Sequence, residues 1–92
     1  MIKLIIISDD SEHEEQYDKN ITNLYLPYKQ IIKIKGLNQL ISLQYLYLHN
    51  NQITEIKGLN QLNSLQELVL SNNQIIEIKG LDHLDSLQKL CL

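Results

Sequence analysis

Apolar and polar residues alternate along this chain in a cycle that repeats every 22 positions. In the clearest copy, Gly36 to Lys57, leucine or isoleucine falls at 43, 46, 48, 53, 56, 59 and 62, counting into the next copy. The spacing changes inside each cycle. Leu46 and Leu48 are two apart, which sends both to one face of a strand and Tyr45, Tyr47 and His49 to the other. Ile53, Ile56, Leu59 and Leu62 are three apart, which suits a tight return of 3₁₀ character. Each cycle is therefore predicted to be a short strand, a turn and a return. Neither half closes a core alone, so the coils must stack strand on parallel strand.

The next copy, Gly58 to Lys79, is identical to the first at 17 of 22 positions. A third begins at Gly80 and reaches Leu92. A degenerate earlier copy spans about residues 20–35, with Ile21, Leu24, Leu26, Ile31 and Ile34 in register. A fixed period of this length signals a stacked solenoid. The pattern resembles the leucine-rich repeat family in its 22-residue form, the type found in a phosphatase regulatory subunit and the internalins. The wording of the repeats is similar to that of giant-virus leucine-rich repeat proteins. The resemblance implies an α/β solenoid: a right-handed coil with a concave parallel β-sheet, short 3₁₀ or irregular convex returns, and a binding surface on the concave face. On this reading residues 20–92 form about three and a half coils, the last incomplete.

Residues 1–19 break the pattern. Asp9, Glu12, Glu15 and Asp18 stand where later copies have Ile or Leu. They are read as an N-terminal cap: a strand at about 2–7, then a short acidic helix with Ser11 and Glu14 as a capping box. Residues 1–18 carry one lysine against six acids, and residues 19–92 seven lysines against five. A polar terminal unit is what a solenoid needs at its end. At the other end, the last strand pattern, Leu87, Leu90 and Leu92, has no return after it. An open strand edge there would template pairing with another chain. The expectation is a homodimer through that edge, or a fragment of a longer protein.

Within the copies, two columns bear on the turns. Asn51 and Asn73 follow the strands where the family buries an amide; the first coil has Lys29 there, which cannot accept a bond, so its turn should differ. Gly36, Gly58 and Gly80 mark a turn needing positive φ.

The two full copies differ at five sites, and three of these are outward strand positions: Tyr45/Glu67, Tyr47/Val69 and His49/Ser71. The outward columns read Asn23, Tyr45, Glu67, Lys89 and Tyr25, Tyr47, Val69, Cys91, with Tyr28, Asn50 and Asn72 at the strand ends. Four of the five tyrosines fall here. Tyrosine suits β-surfaces in general, and it is also an anchor favoured at interfaces. The predicted partner-binding set is Tyr25, Tyr28, Tyr45, Tyr47, His49, Glu67 and Lys89, and Glu67 and Lys89 are placed to pair across strands.

Composition narrows the class. The chain has 18 Leu and 14 Ile but no Ala, Phe, Trp or Arg, a core of branched aliphatics for a narrow repeating slot. A single cysteine, Cys91, allows no internal disulfide and points to an intracellular, most simply cytoplasmic, setting. The apolar run Ile2–Ile7 is too short for a secretion signal, and no stretch approaches the ~20 apolar residues of a membrane span. Asn20-Ile21-Thr22, a glycosylation sequon, is then inert. His13-Glu14-Glu15-Gln16-Tyr17 opens like a zinc-protease HExxH but lacks the second His. His49 and Cys91 fall in different columns two coils apart, without a third ligand, and His83 is read as an exposed return residue. Lys35, Lys57 and Lys79 form one column without arginine, a solvated edge rather than a nucleic-acid footprint. With no nucleophile–base pair, no metal set and no phosphate-binding loop, the chain reads as non-enzymatic and free of cofactors: a module that binds a protein partner.

Overall fold

The computed structural model describes residues 1–9, 11–82 and 84–92. Every element but one is a strand. In chain order they are β1 (Ile2–Ser8), β2 (Glu12–Tyr17), β3 (Asn23–Tyr25), β4 (Ile31–Lys35), a 3₁₀ turn (Leu37–Gln39), β5 (Tyr45–Tyr47), β6 (Glu55–Ile56), β7 (Glu67–Val69), β8 (Glu77–Ile78) and β9 (Lys89–Cys91).

The 22-residue period becomes a stack. A four-stranded parallel sheet runs in the order β3-β5-β7-β9, each strand one repeat from the next. Its register pairs Leu24 with Leu46, Leu46 with Leu68 and Leu68 with Leu90. The period-two alternation is met: Leu24, Leu46 and Leu68 are buried while their neighbours face outward. On the return side β6 and β8 pair in parallel, Ile56 with Ile78. The period-three run follows: Ile53, Ile56, Leu59 and Leu62 are all at most 3% exposed. Backbone N–H groups of Leu62 and Leu65 donate to the carbonyls of Leu59 and Leu62, and the same steps recur one repeat earlier and one repeat later. Side chains three apart therefore line one inner wall.

The turns are held by the asparagine column. Asn51 is 8% exposed. Its Oδ1 accepts from the backbone N–H of Lys29 (2.9 Å) and Ile31 (3.0 Å), and its Nδ2 donates to the carbonyls of Leu26, Leu48 and His49. One amide thus ties two coils together. It also explains Lys29: the acceptor that lysine lacks is supplied from the next repeat. That first turn does differ, since Gln30 has φ 58° while the equivalent Gln52 and Gln74 are not left-handed. Gly36 has φ 100°, and a Cβ there would lie 2.9 Å from the Lys3 carbonyl oxygen, so β1 approaches too closely for any other residue.

The N-terminal segment departs from the expectation of a strand and a short acidic helix. The strand is present, but residues 12–17 form β2, not a helix, and β1 pairs antiparallel with both β2 and β4. A turn closed from Ser8 N–H to the Ser11 carbonyl replaces the predicted capping box. The physical reason lies in β1. Five apolar residues in an extended run leave backbone groups that need partners on both edges, and that demand overrides the helix propensity of Glu and Gln. Leu4 and Ile6 then enter the core at 0% and 2% exposure. Their cross-strand partners Glu15 and His13 share that inner face, with Tyr17 opposite Ile2. A charged residue aimed inward blunts an edge strand. Glu15 is satisfied there by the Tyr17 hydroxyl, and His13 Nε2 stands 3.5 Å from its other oxygen.

Burial beside the core, and then the bond to Glu15, raise the Tyr17 phenol well above its usual range. In the unfolded chain it titrates near 10.0. Its contribution is therefore complete below that pH and is lost as pH climbs toward the folded value. Lys57, raised by its Glu55 partner at 2.7 Å, acts in the same direction. Urea midpoints should fall between about pH 9 and pH 11, and Tyr17→Phe should flatten that slope without abolishing it. An unchanged slope would place the alkaline sensitivity elsewhere.

Candidate protein-binding face

The outer face of the four-stranded sheet is built by the alternation that buries its leucines. Register pairs Asn23, Tyr45, Glu67 and Lys89 in one row and Tyr25, Tyr47, Val69 and Cys91 in the next. All seven predicted binding residues lie on this face or at its strand ends. Tyr25 and Tyr28 are 63% and 71% exposed. Tyr45, Tyr47, His49 and Glu67 are half-buried, and Lys89 is exposed.

Four of the seven converge. The rings of Tyr25 and Tyr47 meet edge to face with centroids 5.7 Å apart. His49 meets Tyr25 and Tyr28 at 5.9 Å and Tyr47 at 6.4 Å, again edge to face. Such pairs contribute beyond their buried area and hold the rings as a fixed surface. The Nδ1 atom of His49 is buried there, and among the described residues it has no hydrogen-bond partner. Tyr45 and Glu67 continue the surface: the Tyr47 hydroxyl donates to Glu67 Oε1, and the Tyr45 hydroxyl donates to Gln66 Oε1 at 3.3 Å. The bond to Glu67 raises the Tyr47 pKa, which keeps the phenol protonated. Lys89 stands apart. It is directly opposite Glu67 in register, yet among the described residues no ion pair joins them. Glu67 turns instead to Tyr47.

Tyr28 occupies an unusual position. It shares its place in the repeat with Asn50 and Asn72, and all three are left-handed, at φ 57°, 58° and 60°. Asparagine tolerates this region, whereas a bulky aromatic is strained in it. Tyr28→Asn is therefore expected to raise the melting temperature by a few degrees, on the order of 0.5–1 kcal/mol, despite the lost contact with His49. A fall in melting temperature would show that the ring contact outweighs the strain. An outlier whose correction is already written in the neighbouring repeats is a reason to suspect function.

A second recess was not foreseen. A cavity of about 220 Å³ lies between the hairpin and the first coil, lined by Ile6, Ser8, His13, Glu15, Leu26, Lys29 and Ile31. Reading residues 12–17 as a helix dispersed His13, Glu15 and Tyr17 around its surface. Their period-two spacing was the signal that they share a strand face. Among the described residues no three His, Cys, Asp or Glu stand close enough to hold a metal ion, and no helix is long and apolar enough to cross a membrane. His83 lies outside the described residues.

The repeat register and the stacked parallel strands have a counterpart among known sequences. A family model of two leucine rich repeats matches residues 19–61, and a single leucine rich repeat model matches residues 64–90. This chain belongs to the leucine-rich repeat family, whose repeats in general mediate protein–protein interaction and are in general non-enzymatic. No curated protein and no solved structure matches the chain.

Proposed function

We propose that this protein is a non-enzymatic interaction module that binds a protein partner on the concave face of its four-stranded sheet, with residues 1–19 acting as its cap. The coil is taken as right-handed, as parallel crossovers overwhelmingly are. The observation that carries the reading is the aromatic cluster of Tyr25, Tyr28, Tyr47 and His49: two rings open to solvent, one of them kept in strained backbone where the sister repeats use asparagine. Exposed rings fixed by their neighbours lose little entropy on binding. The opposite side of the coil is less suited. Lys57 and Lys79 are paired with Glu55 and Glu77 at 2.7 and 3.1 Å, which weighs against a nucleic-acid partner. The free thiol of Cys91 favours a reducing, intracellular setting.

Affinity capture from cell lysate tests the reading. Tyr25→Ala combined with Tyr47→Ala is expected to abolish capture while circular dichroism stays that of the wild type. Lys79→Ala, on the far side, should capture normally. Capture that survives the double substitution would defeat the proposal, and loss of the folded spectrum would show that these rings are core.

A second reading rests on the last coil. Among the described residues β9 pairs with β7 alone, and Leu90 and Leu92 are 40% and 69% exposed. Leu92 borders a hollow of about 210 Å³ with Leu70, Ile75 and Ile78. A further repeat or a second copy would cover it. Light scattering at two concentrations decides between self-association and a monomer that needs another partner.

A further inference from the structure

Glu67 is the one carboxylate on the outer sheet face, and its surroundings leave it incompletely paired. The Tyr47 hydroxyl donates to Oε1; among the described residues no other side chain donates to this carboxylate, and no ion pair joins it to Lys89. It is half-buried, so its charge is less screened than that of a free surface acid. On one side stands the tyrosine cluster, whose ring faces carry negative quadrupoles. The three strands β3, β5 and β7 contribute no cation to this face, and residues 1–18 at the same end of the solenoid carry a net charge of −5.

From this arrangement we infer that the face reads an arginine side chain projecting from the protein partner, with the guanidinium stacked on the tyrosine rings and donating to the open oxygen of Glu67. The inference rests on the concave-face reading above and names the partner's chemistry. A cation meets π faces and a carboxylate together here, which is how aromatic surfaces select positive charge. Arginine fits better than lysine for two reasons. Its planar group stacks against a ring while its edge carries parallel N–H donors suited to a carboxylate. Tyr47 also spans the two parts of the site, since its ring touches Tyr25 and its hydroxyl touches Glu67.

The probes are three capped pentapeptides, Gly-Gly-X-Gly-Gly, with X arginine, citrulline or lysine, titrated into the ¹⁵N-labelled full chain. The arginine peptide should shift the amides of Tyr25, Tyr47 and Glu67. The citrulline peptide, equal in shape but uncharged, should not. Glu67→Gln preserves the acceptor for the Tyr47 hydroxyl and removes the charge together with the second acceptor oxygen; it should weaken arginine-peptide binding about tenfold. Tyr47→Phe should leave that binding in place, because the ring and the carboxylate remain. Equal binding of the citrulline peptide, or an unchanged affinity in Glu67→Gln, overturns the inference, and equal binding of the lysine peptide overturns the choice of arginine. If the arginine peptide fails while Tyr25→Ala with Tyr47→Ala still abolishes capture, the cation reading fails and the interface stands. If the peptide binds but capture survives that double substitution, the interface reading fails and the partner's arginine fails with it.

Discussion

Asn51→Ala is expected to lower the unfolding free energy by about 3–5 kcal/mol in urea titrations, the largest polar effect in the chain. The amide is buried and makes five bonds, two as acceptor and three as donor, and they span the first and second coils. Its removal leaves the N–H groups of Lys29 and Ile31 without their acceptor, and the Ile31 bond is fully buried. An orphaned buried donor costs about 1–3 kcal/mol, about twice the net worth of an ordinary bond. Asn73 gives the internal comparison. It holds the equivalent carbonyls of Leu48, Leu70 and, at 3.5 Å, Ser71, but among the described residues its Oδ1 accepts from Ile53 alone, and it is half-buried. Asn73→Ala should therefore cost distinctly less. Equal losses would mean that water replaces the amide at both turns, and that the column is not what binds one coil to the next.

That column also shows how far the sequence could be read. The period of 22, the strand register and the inward leucines were legible because each rests on a spacing that recurs, and a recurring spacing averages out local accidents. The outward rows could be written down in advance for the same reason, and so could the proximity of Tyr25 and Tyr47. Three things were not legible. That Asn51 reaches back to Lys29 and Ile31 depends on how one turn sits on another, which the repeat pattern does not encode. The hairpin is the larger case. Residues 12–17 carry helix-favouring Glu and Gln, and no repeat constrains them. Their conformation was decided by β1, whose backbone required a partner; Ile2 and Leu4 of β1 stand one 22-residue period before Leu24 and Leu26, yet β1 pairs with β4 and not with β3. At the candidate site, the row containing Glu67 and Lys89 was evident, but the bond from Tyr47 that takes Glu67 away from Lys89 was not. Register places side chains side by side; rotamers choose among the neighbours.

The largest apolar effect is expected at Leu46. It lies at the centre of the sheet, fully buried, between Leu24 and Leu68 in adjacent strands. Leu46→Ala should cost about 2–5 kcal/mol, the transfer of the lost carbons plus the cavity left behind. The solenoid restricts relaxation, since Leu24 and Leu68 are tied to fixed strands on either side and neither can slide into the gap without breaking a ladder. Leu90 is the same residue at the same place in the repeat, at the edge of the sheet and 40% exposed. Leu90→Ala should cost under about 1 kcal/mol, because much of its surface already meets water and no cavity is enclosed. The two substitutions differ in chemistry by nothing, so their difference measures stacking alone. Leu46→Ala combined with Leu68→Ala should be non-additive, because the two side chains would share one cavity. A loss below 1 kcal/mol at Leu46 would show that the inner and outer faces of the sheet are reversed, and the tyrosine surface would then be the core; a larger loss at Leu90 than at Leu46 would show that enclosure between neighbouring coils does not set the cost.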